Sequence, residues 1–376
     1  MWLELMNKPF PRLLDLSLLS TTVEEMNPIL PATLHAPHLR CLSLHGISLS
    51  TGLPFLSSAI ALSTLSLTHI GTSSYFPPGH LVTQLQGLLH LEELSIGFAV
   101  PIPLPGSEGR LQPAPNLPVT LPTLRRLTFG GVDVYLDNLV AQINTPLLER
   151  LTVTLFFDLT YTLVNLNEFI RRTERFRCLT VQVIFNSDGA SIDSDAGHYK
   201  QQGIGKLSFR VNCERFDWQI DSATQVCSAL REVLSAVEEL TLDLDADGVP
   251  SDWENTLDSM FWHELLLPFI GVKKLHIGSS LTLELSKALE SVTGELVLEL
   301  LPELQEFEVQ LRISNAKNMF SGFIKTRESA GRPVHLLTPP IPFVEPEVRR
   351  QAPSRRSLTS TVEQVLADHL QYVARF

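Results

Sequence analysis

Apolar residues return along this chain in a six-residue pattern, apolar-x-x-apolar-x-apolar, of which Leu148-Glu149-Arg150-Leu151-Thr152-Val153 is a clear copy. Eleven copies begin at Leu13, Leu39, Leu62, Leu91, Leu124, Leu148, Phe176, Ile204, Val237, Val272 and Leu304. Their starts are 23 to 35 residues apart, about 29 on average, an interval typical of repeat architectures. Within each copy the last apolar pair alternates with polar residues, which predicts a strand with one buried face. A strand that recurs after an excursion of about 15–20 residues predicts a parallel sheet with helical or irregular crossovers. In five copies a proline (Pro11, Pro37, Pro122, Pro146 and Pro302) stands two residues before the first apolar position. It favours extended entry into the strand and stops a helix from running into it.

Most gaps between the predicted strands carry apolar residues at helical spacing, for which packing against the sheet is the preferred reading. Leu81, Leu85, Leu88 and Leu89 form one such stripe after Pro77-Pro78, and Leu136, Leu139, Val140 and Ile143 form another. Val226, Leu230, Val233, Leu234 and Val237 make a third, and Trp253, Leu257, Met260, Phe261 and Leu265 the longest. Two gaps differ. Prolines crowd the stretch from Pro101 to Pro122 and rule out a regular helix there. Between Asn186 and Gly203 the chain is polar, and a mobile surface loop is expected ahead of a functional one. After the last copy, Met319, Phe320, Phe323, Ile324 and Arg327 predict a terminal helix stopped by Gly331, with a short extended segment over Pro333–Leu337.

The domain reading that follows is a repeat solenoid over residues 1–337, a Pro/Arg-rich linker over 338–357, expected to be disordered, and an amphipathic helix over 358–376. Ser360 and Glu363 make a capping box for that helix, whose apolar side is Val362, Val365, Leu366, Leu370 and Val373. Arg349-Arg350 and Arg355-Arg356 are taken as a solvated linker in preference to a nuclear-import patch. Composition then narrows the function. A net charge of −12 argues against nucleic acid as a partner, and no apolar run is long enough to span a bilayer. The N-terminus lacks a basic start followed by a long apolar run, so no signal peptide is expected. Four cysteines are too few for a disulfide framework. Cys41 and Cys178, placed five strands apart or roughly 24 Å, are too distant to pair. A reduced cytoplasmic or nuclear setting fits.

In a parallel repeat sheet, the residues between the core positions form columns on the exposed face. The middle column is Ser17, Ser43, Ser66, Ser95, Thr128, Thr152, Thr180, Ser208, Thr241, His276 and Glu308, mostly short hydroxyls. A structural ladder is the first reading and a hydrogen-bonding floor for a ligand the second. The column before it varies in charge: Asp15, Cys41, Thr64, Glu93, Arg126, Arg150, Cys178, Lys206, Glu239, Lys274 and Glu306. Arg126 and Arg150 fall on adjacent strands, Lys206 and Arg210 on the eighth, and Gln182 on the seventh between the two pairs. Such a basic centre with acidic flanks would attract an acidic segment, against the plainer reading of solvated surface charge. The candidate partner-binding residues are therefore Arg126, Arg150, Thr152, Gln182, Lys206 and Arg210.

Other chemistry is thin. His35, His38, Cys41 and His45 have zinc-like spacing, but Cys41 and His45 are about 13 Å apart along a strand, too far for one ion. Asp243, Asp245, Asp247-Gly248 and Glu254 fit the calcium-loop pattern. Against that, Leu240, Leu242 and Leu244 belong to a strand and Pro250 stands at the eighth loop position, so an acidic turn is preferred over weak calcium binding. Gly203-Ile-Gly205-Lys206 is too short for a phosphate loop, no nucleophile elbow appears, and no acid/base pair can be named. No metal, cofactor or catalytic residue is assigned, and the chain is expected not to be an enzyme.

The stretches Leu81-Val-Thr-Gln-Leu, Leu91-Glu-Glu-Leu-Ser-Ile-Gly-Phe and Val119-Thr-Leu-Pro-Thr-Leu-Arg-Arg-Leu-Thr-Phe carry a resemblance, as do Thr145-Pro-Leu-Leu-Glu-Arg-Leu, Trp262-His-Glu-Leu-Leu-Leu-Pro-Phe and Leu301-Pro-Glu-Leu-Gln. Together they resemble the irregular leucine-rich-repeat region of F-box proteins abundant in mushroom-forming fungi. The resemblance covers roughly residues 10–337. It implies an α/β fold, a right-handed leucine-rich-repeat-like solenoid with a curved parallel sheet of about eleven strands and helices and irregular loops on the convex side. It also implies a protein ligand held on the concave ribbon as the substrate of a cullin–RING ubiquitin ligase. Since the pattern starts at Leu13, the F-box is missing from this sequence, and a Skp-type adaptor is a partner only if an F-box lies upstream. The alternative is a stand-alone scaffolding repeat protein with no ubiquitin role.

Overall fold

The computed structural model describes residues 9–20, 29–30, 34–49, 53–101, 118–158, 160–173, 175–176, 178–194, 205–245, 259–291, 296–309 and 318–337. Each of the eleven patterned segments contributes a strand to one sheet. In chain order these are β1 (Asp15–Leu19), β2 (Cys41–His45), β3 (Thr64–Ile70), β4 (Glu93–Phe98), β5 (Arg126–Gly131) and β6 (Arg150–Phe156). Then come β7 (Thr180–Asn186), β9 (Lys206–Asn212), β10 (Glu239–Leu244), β11 (Lys274–Ile277) and β12 (Glu306–Val309). Two further strands, β8 (Gly189–Asp193) and β13 (His335–Leu337), complete 13. The second of these is the extended segment expected near the end of the described chain.

The pattern works through one local device. The first apolar residue of a copy donates its N–H to the carbonyl three residues earlier: Leu39 to Ala36, Leu62 to Ala59, Leu91 to Leu88, Leu148 to Thr145, Val272 to Phe269 and Leu304 to Leu301. That turn drops the chain into the strand, and the next two backbone N–H groups then share one carbonyl of the preceding strand. Ser63 and Thr64 donate to Arg40 O, and Glu149 and Arg150 to Arg125 O. From the second copy to the sixth, the first apolar side chain and the two that follow point to the core; Leu62, Leu65, Leu67, Leu148, Leu151 and Val153 have no exposure at all. Each such side chain contributes about 1.5–3 kcal/mol when buried, and the contribution repeats strand after strand.

Helices cover the core side: α1 (Pro78–Leu85), α2 (Asp133–Ala141), α3 (Val164–Arg172), α4 (Phe216–Ala229), α5 (Ser259–Leu266), α6 (Thr282–Ser291) and α7 (Ser321–Ser329). Within the first predicted stripe Leu81, Leu85 and Leu88 are buried, but Leu89 is 57% exposed because α1 has already ended. In the longest stripe Leu265 is buried and Phe261 packs against the core as expected, but Met260 is 60% exposed, and Trp262 and Leu266 join the core side in its place; Trp253 and Leu257 lie outside the described residues. The terminal helix ends as expected at Gly331, whose φ of +75° closes the last turn at no steric cost. Among the described residues no helix is long and apolar enough to cross a membrane. The linker and amphipathic-helix readings for 338–376, and the proline-rich stretch 102–117, also lie outside them.

The sheet departs from the expected simple parallel order in its middle. Its spatial order is β1-β2-β3-β4-β5-β6-β9-β8-β7-β10-β11-β12-β13. β7, β8 and β9 form an antiparallel meander inserted backwards, so β9 lies beside β6 and β7 lies beside β10. The polar stretch expected to be a mobile loop thus contains a sheet strand over Gly189–Asp193. A two-residue turn starts it: Asn186 Oδ1 accepts the N–H groups of Asp188 (2.9 Å) and Gly189 (3.0 Å). Gln219 on α4 then donates Nε2 to the carbonyls of Asn186 (2.9 Å) and Cys213 (2.8 Å), tying the β7–β8 turn and the end of β9 to the helix.

The seventh copy also needs a shift of two residues. Phe176 keeps the turn bond, to Thr173 O, but Val181 pairs with Leu240, and Gln182 with Thr241. The middle-column residue is therefore Gln182, not Thr180, and Cys178 is a buried core residue, not a surface one. With the meander reversed, Cys41 and Cys178 are further apart than five strands. All four cysteines are free, and burial pushes the Cys178 thiol up to about 11.

Candidate functional site

The exposed face is read in three rows across β4, β5, β6 and β9. In the first, Glu93, Arg126, Arg150 and Lys206 stand in register on four adjacent strands, about 4.8 Å apart. The second row is Ser95, Thr128, Thr152 and Ser208, continued by Asp193 on β8 and Gln182 on β7. The third is Gly97, Gly130, Thr154 and Arg210, followed by Ser191. The reversed meander brings Lys206 directly beside Arg150. Gln182 does not lie between the two basic pairs, as simple chain order requires; it sits two strands beyond β9. The predicted basic residues are thus assembled more tightly than expected, and Gln182 is not among them.

The electrostatics single out two of the four cations. Arg126 is paired with Glu93. Arg150 and Arg210 are exposed, and no ion pair of theirs falls among the described residues. Arg150 opens β6 and Arg210 is the fifth residue of neighbouring β9, with Thr152, Thr154 and Ser208 between their charges. At the rim below, Glu149 Oε1 takes both Arg125 (2.5 Å) and Arg175 (2.6 Å), so one carboxylate serves two guanidiniums and the local balance stays positive. Like charges placed opposite each other on adjacent strands repel; the row therefore costs stability that an incoming anion would relieve.

Gly97 and Gly130 are the feature that column-counting missed. With no side chains in the third row on β4 and β5, the backbone lies bare next to Thr154. A Cβ at Gly130 would touch Gly97 Cα at 3.6 Å, an ordinary contact, so the space is open and not a packing requirement. Both stand six residues after the start of their copies, Leu91 and Leu124, so carrying the columns one position further along the sequence is the signal that finds them.

The other end of the sheet has the opposite sign. His276 on β11 lies 2.8 Å from Glu239 and 2.8 Å from Glu308, though its Nε2 makes no directed hydrogen bond. Lys274 pairs with Glu306 at 2.7 Å. Among the described residues no three His, Cys, Asp or Glu side chains gather as for a metal ion. His45 of the zinc-like quartet instead stacks on His69 with ring centroids 5.2 Å apart. Of the calcium-loop residues, Asp243 accepts the Leu244 N–H at 2.9 Å and fills the space beside Gly278. Asp245 has a partner of its own; Asp247 and Glu254 lie outside the described residues.

Comparison with known proteins adds little at this point. No family model matches the chain, and neither does any curated protein. A weak structural similarity to a leucine-rich-repeat-type protein is found in a crystal structure of a TLR13–ssRNA13 complex, with 12% identity and a TM-score of 0.35. The match covers 81% of this chain and 38% of that one, so the chain spans well under half the length of its structural neighbour.

Proposed function

We propose that the chain is a protein-binding module in which the exposed face of β5, β6 and β9 holds an acidic segment of a partner protein. One observation carries this reading: Arg126, Arg150 and Lys206 share a register on three adjacent strands, in a chain whose net charge is −12. A positive patch on an acidic protein steers anionic segments toward itself and away from the rest of the surface. The flat hydroxyl floor beside it suits contact with another chain more than enclosure of a small molecule. We read the module as binding without catalysis.

The finer reading is a curved, right-handed leucine-rich-repeat solenoid acting as the substrate-recognition part of an F-box subunit in a cytoplasmic or nuclear ubiquitin ligase. The resemblance of residues 10–337 to the repeat region of fungal F-box proteins supports it, as does the recurring turn-and-strand unit. The test has two arms. Partners cross-linked to the chain in cells are compared with those of the Arg126→Glu, Arg150→Glu, Lys206→Glu triple variant; unchanged recovery refutes the binding face. Capture of a Skp-type adaptor by the product of the complete gene tests the ligase link, and its failure leaves a stand-alone scaffold.

A further inference from the structure

We propose that the segment taken up on this face is extended, with acidic side chains at positions i and i+4 and a small or hydrogen-bonding side chain at i+2. This rests on the preceding reading of the face as a site for an acidic segment. The geometry comes from the two guanidiniums that no described carboxylate pairs. Arg210 is in register with Thr154, four residues along from Arg150 and one strand across. At about 3.3 Å per residue and 4.8 Å between strands, their backbones stand about 14 Å apart. Both point out from the same face of the sheet, since side chains two and four residues apart in a strand share a side.

An extended peptide laid over β6 and β9 has the same rise and the same alternation. Its residues i and i+4 therefore face the sheet together at the separation of Arg150 and Arg210, and each carboxylate can take a forked guanidinium contact. A helix does not match. At 1.5 Å per residue it needs about nine residues to cover 13 Å, which turns the second carboxylate to the far side. Between the anchors, residue i+2 lies over Thr152 and Ser208, which leave no bulk and offer hydroxyls. The bare backbone of Gly97 and Gly130 gives the segment room on the β5 side. On the other side Asp193, in register with Ser208, and the carboxylates Glu239, Glu306 and Glu308 of β10 and β12 repel an acidic chain and confine it to β6 and β9.

The test uses the full chain and fluorescent, end-blocked ten-residue peptides of identical composition, each with two glutamates flanking serine. Their spacing is i/i+3, i/i+4 or i/i+5, and binding is read by anisotropy at low and high salt. The i/i+4 peptide is expected to bind about fivefold more tightly than the others, the difference made by one exposed charge pair. Arg150→Gln and Arg210→Gln, with circular dichroism unchanged, are each expected to erase that preference. Equal binding of all three spacings, lost in the Arg variants, overturns the extended geometry while the acidic-segment reading stands. Absence of binding by every acidic peptide, or binding indifferent to both Arg variants, overturns both.

Discussion

Replacing Gly189 with alanine tests whether the reversed meander holds the basic row together. Gly189 begins β8 with φ of +154°, a backbone conformation that residues with a Cβ rarely adopt. A Cβ there would run into the Val211 carbonyl of β9, with Val211 C at 2.9 Å and Asn212 Cα at 3.2 Å. All of these are backbone atoms of the neighbouring strand, so no side-chain rotation relieves the collision. Strained φ costs about 1–3 kcal/mol and overpacking about 1–3 kcal/mol; since one backbone shift eases both, a total of about 3 kcal/mol is expected. Urea unfolding reads the loss as a lower midpoint at unchanged slope. Hydrogen exchange locates it, with amides of β8 and β9 losing protection before those of β2 to β4. A variant within 0.5 kcal/mol of the parent, or uniform loss of protection along the sheet, refutes the claim that the β8–β9 contact fixes β9 against β6.

Three more outcomes follow from buried polar groups. Asp137 on α2 accepts the Leu166 N–H (2.9 Å) and Asn165 Nδ2 (2.8 Å), capping α3 in place of its own apolar N-cap Leu163; Asp137→Ala should cost about 1–3 kcal/mol in urea unfolding. Burial raises the Asp133 carboxyl above its ordinary 3.8, opposed by the Thr162 N–H it accepts. The folded state thus binds this proton more tightly than the unfolded state, so the group's contribution is full below 3.8 and lost as pH rises through the raised value. Asp133→Asn should therefore gain stability relative to the parent as pH goes from 3 to 6, and a difference that is flat in pH contradicts this. Arg327, fully buried and in no ion pair among the described residues, donates to the carbonyls of Val297, Leu300, Pro302 and Leu304 at 3.1–3.4 Å. Arg327→Met keeps the stem but strips several of these acceptors, and a loss of about 3 kcal/mol is expected; no loss in thermal or urea unfolding would mean the carbonyls are served otherwise.

What the sequence displayed was the strand unit, because its signal is local. The first apolar residue, the turn bond it closes and the alternation after it all fall within about six residues, as at Leu62 or Leu148. The order of strands was not displayed, since pairing between distant segments leaves no mark in either one. Of residues 189–193, Gly189, Ala190 and Asp193 are poor strand formers and Ile192 alone a good one, and their place between β7 and β9 makes them a strand. The seventh copy misled for a different reason. Phe176-x-x-Leu179-x-Val181 satisfies the apolar pattern two residues early, and only the partner strand reveals that Leu179 is 44% exposed while Cys178 is buried.

The candidate site depends on the part that was hidden. In simple chain order β7 stands between β6 and β9, and Arg150 and Lys206 are two strands apart with Thr180 or Gln182 between them. The meander removes that spacer, closing the gap to one strand and placing Arg210 across from Thr154. The same reversal sets Asp193 beside Ser208 and shifts the acidic strands β10 to β12 further from Arg150. Charge separation along the sheet is therefore a product of topology acting on residues whose linear order mixes the signs. A permuted chain that restores β7 beside β6 would keep every side chain and the same net charge. It should still lose the preference for an acidic segment, because the row, not the composition, concentrates the field.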